Sequence, residues 1–204
     1  HINHSEKVLN MKISLSILIL LFSLQSWIKA DEIKDFEIEG MSIGDSLLDF
    51  FSESEIKKKI NSNTTYWYEN NGYVSILINS ENFEIYEQVG VVFNPVDKKF
   101  ILESIEGTFN YNSDIEECYK KQKVITSDLK RMFINNTEFS TYTIKYTPDK
   151  SGKSISKNNR FKFSNGGAIT VICYDMDKDF HDPNDQLYLA ITSEKLLKWI
   201  REND

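Results

Sequence analysis

The 204-residue chain is poor in cysteine (two), proline (three), histidine (three) and glycine (eight), and nearly all of its basic side chains are lysine. Each scarcity excludes something. With no CxxC pair and no mixed Cys/His spacing, a structural zinc site has no ligand set. One histidine beyond residue 30, His181, falls short of the usual catalytic metal set. There is no G-x-S-x-G elbow to present a serine nucleophile. Positive charge is short as well, at 24 basic against 31 acidic side chains. Lys7, Lys12, Lys29 and Glu6 fall at or before Ala30, which leaves a net charge of −9 after it. That balance opposes nonspecific binding to nucleic acid and to anionic lipid. No cofactor is expected. The abundance of Lys, Asn, Ile and Ser points to an AT-rich genome rather than to a chemistry.

What is present begins with an export signal. Met11 and Lys12 lead into an apolar run from Ile13 to Leu24, and a more polar tail ends in Ala30 before Asp31-Glu32. Those are the three regions of a secretory signal peptide. The run is shorter than the roughly 20 residues that span a bilayer. Residues 1–10 read as an upstream extension, 11–30 as the leader and 31–204 as a single domain, with two sub-units meeting near 107–113. The expected location is periplasmic or secreted. The alternative is a leader retained as an anchor, since Ile28 and Lys29 make an imperfect cleavage site; cleavage would leave no stable membrane insertion. In an exported protein the lone pair Cys118 and Cys173 implies a disulfide. Two separately buried thiols are the alternative.

Hydrophobic periodicity gives the architecture. Ile43, Leu47, Phe50 and Phe51 fall at helical spacing, with Ser42 and Asp45 as a capping pair, and Ser52-Glu-Ser-Glu55 starts a second helix. The period then becomes two. Thr65 to Glu69 and Tyr73 to Ile78 flank the hairpin signal Asn71-Gly72, and Phe83, Ile85, Val89, Val91 and Phe93 alternate along a long strand. Phe100 to Ile105 follows. Ser113 and Glu116 predict the start of a helix with a stripe of Ile115, Cys118, Ile125, Leu129 and Met132, interrupted by Gln122. Strands resume at Thr141 to Tyr146, Arg160 to Phe163, Ala168 to Tyr174 and Leu187 to Ile191, and Ser193 opens a terminal helix. Helix then strands, twice over, with a closing helix, favours α+β with an antiparallel sheet.

Phe36-Glu-Ile-Glu-Gly-Met-Ser-Ile-Gly-Asp-Ser-Leu-Leu-Asp-Phe-Phe51, Asp149-Lys-Ser-Gly-Lys-Ser154 and Val171-Ile-Cys-Tyr174 resemble small exported proteins of AT-rich marine alphaproteobacteria. That likeness brings no activity with it. In layout alone, the Gly-Met-Ser entry followed by antiparallel strands looks like the β-lactamase-inhibitor-protein fold and small outer-membrane assembly lipoproteins. The absence of a lipid-acceptor cysteine near Ala30 departs from the latter.

Four candidate sites remain. Thr147-Pro-Asp-Lys-Ser-Gly-Lys-Ser154 nearly matches a phosphate-binding loop, but it lacks the first Gly and a following helix. The plainer reading is an exposed connection, Ile155 to Asn159 included, whose Lys150, Lys153, Lys157 and Arg160 make a basic patch that could meet an acidic partner. Asp175, Asp177 and Asp179 open like a calcium loop, but Phe180 and Gln186 stand where an EF-hand needs Gly and Glu. His181 with Asp182 suggests acid–base chemistry but lacks a nucleophile. Tyr66, Trp67 and Tyr73 on the first hairpin offer an aromatic surface for a protein or small ligand, or else they cover the core. Asn63-Thr-Thr65 and Asn135-Asn-Thr137 match glycosylation sequons, which matter only in a eukaryotic source. An aromatic surface and charged loops fit a binding module; the alternative is a small periplasmic hydrolase using His181 with neighbouring Asp residues.

Overall fold

Period-two stretches become strands and the two long period-3.6 stretches become helices, and their order sets the topology. The computed structural model describes residues 33–79, 83–112, 114–133, 137–181 and 184–203. The leader, residues 1–10, Ser113, Asn135 and Asp182 lie outside them. A small hairpin, β1 (Glu37–Ile38) and β2 (Met41–Ser42), turns through Glu39 and Gly40, both at positive φ. Helix α1 (Glu53–Ile60) precedes β3 (Tyr66–Trp67), β4 (Val74–Ile78), β5 (Gln88–Phe93) and β6 (Leu102–Asn110). Helix α2 (Ile115–Met132) precedes β7 (Thr137–Lys145), β8 (Ile155–Phe163), β9 (Ala168–Asp175) and β10 (Gln186–Thr192), and α3 (Glu194–Asn203) closes the chain.

The eight later strands form one antiparallel sheet in the order β3-β4-β5-β6-β10-β9-β8-β7. The last strand of each half therefore lies at the centre, where Gly107 faces Leu189. This is an α+β fold with the tandem helix-then-strands arrangement and a C-terminal helix. Helices α1 and α2 share one face of the sheet. Ile56, Cys118, Ile125 and Leu129 pack there against Val74, Ile76, Val91, Ile105, Phe161, Val171 and Leu187. The Cys118–Cys173 disulfide fastens α2 to β9. On the opposite face, α3 covers β4 and β5 by placing Leu196, Trp199 and Ile200 against Tyr68, Tyr73 and Val92.

Several expectations change at close range. The first helical stretch shortens to a 3-10 turn, Leu47–Asp49, capped by Ser46, because Met41–Ser42 pairs as strand β2. The long strand from Phe83 starts only at Gln88; before it, the Glu39 carboxylate accepts from the N–H groups of Glu84, Ile85 and Tyr86 and so diverts the chain. Asp114 caps α2 by accepting from the Glu117 N–H. Its inner stripe ends on Phe133, with Met132 exposed. Gln122 does not interrupt that stripe: its buried amide donates to the strand carbonyls of Lys157 and Val171. The polar stretch Ile155 to Asn159 is strand, with Ser156 and Asn158 buried. At the first hairpin, positive φ falls on Asn70 and Asn71, and Gly72 has φ −69°. Gly72 serves close approach, since a Cβ there would lie 2.6 Å from the Trp199 ring.

Candidate functional site

The two charged loops singled out in the sequence meet and neutralise each other. Lys153 pairs with Asp177 at 2.9 Å and with Asp179 at 3.7 Å, which holds Asp177 below the usual carboxylate range. Lys150 donates to the Thr147 carbonyl. Asp175 accepts from the Tyr119 hydroxyl at 2.8 Å. Asp177 and Asp179 thus share Lys153 while Asp175 is held by Tyr119, and no group of three potential metal ligands gathers among the described residues. Inside the phosphate-loop-like segment, the Asp149 carboxylate accepts from the backbone N–H groups of Ser151 and Ser154 and from the Ser151 hydroxyl. Those bonds hold Asp149 far below its ordinary pKa. The donors that would cradle a phosphate are spent on the chain's own carboxylate, and strand β8 follows where a helix would be required.

His181 is exposed, and its ring sits 4.1 Å from that of Phe180. Among the described residues it makes no hydrogen bond or ion pair, and its neighbour Asp182 lies outside them. The first hairpin separates its aromatics. Tyr73 is buried, 5.1 Å from Trp199, and belongs to the second hydrophobic cluster. Tyr66 and Trp67 stay 63% and 43% exposed at the sheet edge.

Strand alternation builds a larger surface, which residue-by-residue reading of the sequence missed. On the face opposite α1 and α2, the second half of the sheet carries Tyr142 and Ile144 of β7, Ile172 and Tyr174 of β9, and Tyr188 of β10. Tyr146 and Phe180 extend it. Rings run edge to face from Tyr188 to Tyr174 at 5.1 Å, Tyr174 to Tyr146 at 5.9 Å and Tyr146 to Phe180 at 5.8 Å. All are half-buried or exposed, with Tyr142 37% and Ile144 50% accessible. Burial, with the Glu106 charge behind it, raises the Tyr174 pKa, so its hydroxyl remains protonated near neutrality. Tyr188 donates to Gln186, and Gln186 in turn to Asn110. The sequence signal was available as the alternation of Tyr142 with Ile144 and of Ile172 with Tyr174. It becomes visible only once strand order sets those pairs on one face.

At the seam of the two halves, Glu106 stands on this same face between Gly90 of β5 and Ala190 of β10. Burial raises its pKa to about 6. No helix among the described residues is long and apolar enough to cross a membrane. No family model matches the chain, and no curated protein matches it. Among solved structures, the chain is similar to the solution structure of cyanobacterial PsbP (CyanoP) from Synechocystis sp. PCC 6803. Identity is 6% over 68% of this chain and 84% of that one, with a TM-score of 0.36, too low to inform function.

Proposed function

We propose that this chain is an exported binding module that engages a partner protein through the tyrosine-rich face of the second half of its sheet. The continuous run of rings from Tyr188 to Phe180 carries this reading. Tyrosine supplies large contact area for two side-chain torsions, plus a hydroxyl at the rim, so such a surface binds without ordering long flexible side chains. Rigid strands hold it, and the disulfide anchors the helix behind it. Export is supported by that disulfide and by the leader pattern from Met11 to Ala30. His181, its ring tilted against that of Phe180, borders this surface as a contact residue rather than a catalytic one.

The test is affinity. A partner isolated on the immobilised chain and then purified is titrated by calorimetry against Tyr142→Ala, Tyr174→Ala, Tyr66→Ala and Trp67→Ala, with melting followed for each. Central aromatic contacts are worth about 2 kcal/mol or more, so Tyr142→Ala and Tyr174→Ala should weaken binding at least tenfold. The hairpin variants should change it less than twofold. Loss confined to Tyr66→Ala and Trp67→Ala would move the surface to the sheet edge. Unchanged affinity in all four variants would end the proposal.

A further inference from the structure

Next to the tyrosine face, five side chains line a small open cleft: Glu138 and Ser140 of β7, Arg160 and Lys162 of β8, and Arg201 of α3. Ser140 stands directly opposite Arg160 in the ladder and Glu138 opposite Lys162. The cleft is basic in a chain of net charge −7, and it takes two of the chain's three arginines. Elsewhere Lys57, Lys120, Lys153, Lys195 and the third arginine, Arg131, each pair with a carboxylate. Among the described residues none of Arg160, Lys162 and Arg201 does, although Glu138 shares their cleft. The Nε of Arg160 is buried and has no hydrogen-bond partner.

Three unpaired cations in one concavity repel each other, and a buried guanidinium donor with no acceptor is unfavourable. A single oxyanion in the cleft offsets the repulsion and brings acceptors to the Arg160 guanidinium. Arginine's planar fork matches two oxygens of one group, which an ammonium alone does not do. At about 160 Å³ the cleft admits an ion-sized group, not a cofactor. We infer that Arg160, Lys162 and Arg201 form an oxyanion site that takes a phosphate-like ion or a carboxylate, with Ser140 beside it as a further donor. This inference stands apart from the tyrosine face, and its test needs no partner protein.

With three arginines, the ¹⁵N spectrum of the full chain has three Nε–H signals, and Arg131, paired with Asp128, serves as the internal reference. Sodium phosphate is titrated at constant ionic strength against a sodium chloride control. Saturable shifts of Arg160 and Arg201, with Arg131 unmoved, are expected. Arg160→Gln and Arg201→Gln should each weaken phosphate at least tenfold, the loss typical of a charge-assisted hydrogen bond. A tetraglutamate peptide, run in parallel, distinguishes the source: tighter binding than phosphate marks a protein carboxylate, weaker binding marks a free oxyanion. Shifts that equal the chloride control, that move all three arginines alike, or that survive both substitutions overturn the site. Arg201→Gln lies on an exposed helix position and keeps the test valid if Arg160→Gln perturbs folding.

Discussion

Behind β3–β6 stands an eight-residue helix with one buried side chain, Ile56, whereas behind β7–β10 stands an eighteen-residue helix with five, plus a disulfide. In front the order reverses. Helix α3 covers the first half with Leu196 and Trp199, and the second half shows tyrosines to solvent. Equal element order therefore does not mean equal construction. Among the described residues, the half fastened from behind carries no such apolar lid over its front, where α3 contributes the Arg201 side chain. That makes the open face available for contact, and the closed one a matter of packing.

Breaking the rear attachment should have the largest effect. The disulfide closes a loop of 55 residues, which in the chain-entropy account contributes about 4 kcal/mol. Cys118→Ser with Cys173→Ser is expected to lose that much in urea denaturation. A loss under about 1 kcal/mol would mean that packing of Ile125 and Leu129 alone holds α2 in place.

Removing the lid of the first half comes next. Leu196 is 1% exposed between Tyr73 and Val92, so Leu196→Ala should cost about 3 kcal/mol, within the range for buried leucines. Tyrosine fluorescence and hydrogen exchange at β4 would report the uncovering. If the melting temperature moves as little as for a surface substitution, α3 is an appendage and not a lid.

Much of this contrast was legible in the sequence. Ser52 with Glu55 and the Ile115-Cys118-Ile125-Leu129 stripe placed two helices with their chemistry intact, since local pattern and tertiary role agree there. The disulfide followed from cysteine count and setting. What escaped was what depends on strands meeting at long range. Glu39 reaches across to residues 84–86, Gln122 reads as a fault in its stripe until two strand carbonyls need its amide, and Gly72 yields to a tryptophan 127 positions later. The charged loops 147–154 and 175–185 read as separate sites because nothing local says that Lys153 will meet Asp177. The basic cleft has the same origin, as its residues come from β7, β8 and α3.

The seam between the halves gives a sharper probe. Glu106 has its pKa raised to about 6 by burial, from an ordinary 4.5. The folded protein thus binds this proton more tightly than the unfolded chain. The resulting stabilisation is full below about pH 4.5 and is lost as pH rises through about 6, a swing of about 2 kcal/mol. Glu106→Gln should therefore raise the urea midpoint at pH 7.5 and leave it unchanged at pH 4. An equal gain at both values would show that the effect is packing and not charge.

The smallest expected effect concerns the short rear helix. Eight residues are too few to hold a helix by propensity, so α1 rests on Ile56 and on its cap. Ser52 accepts from the Glu55 N–H while Glu55 accepts from the Ser52 N–H at 2.9 Å. The Ser52 hydroxyl, donating to the Glu55 carboxylate at 2.6 Å, and the Ser52 N–H together hold the Glu55 pKa below its usual value. Ser52→Ala removes one side of that exchange and should cost about 1 kcal/mol. In α2, Asp114 does the corresponding work for a helix that is also fastened by Cys118 and four other buried side chains. Asp114→Ala should then reduce global stability by a similar amount but leave α2 protected from hydrogen exchange, whereas Ser52→Ala should expose the amides of α1 first. Equal loss of protection in both helices would contradict the unequal attachment on which the comparison of the halves rests.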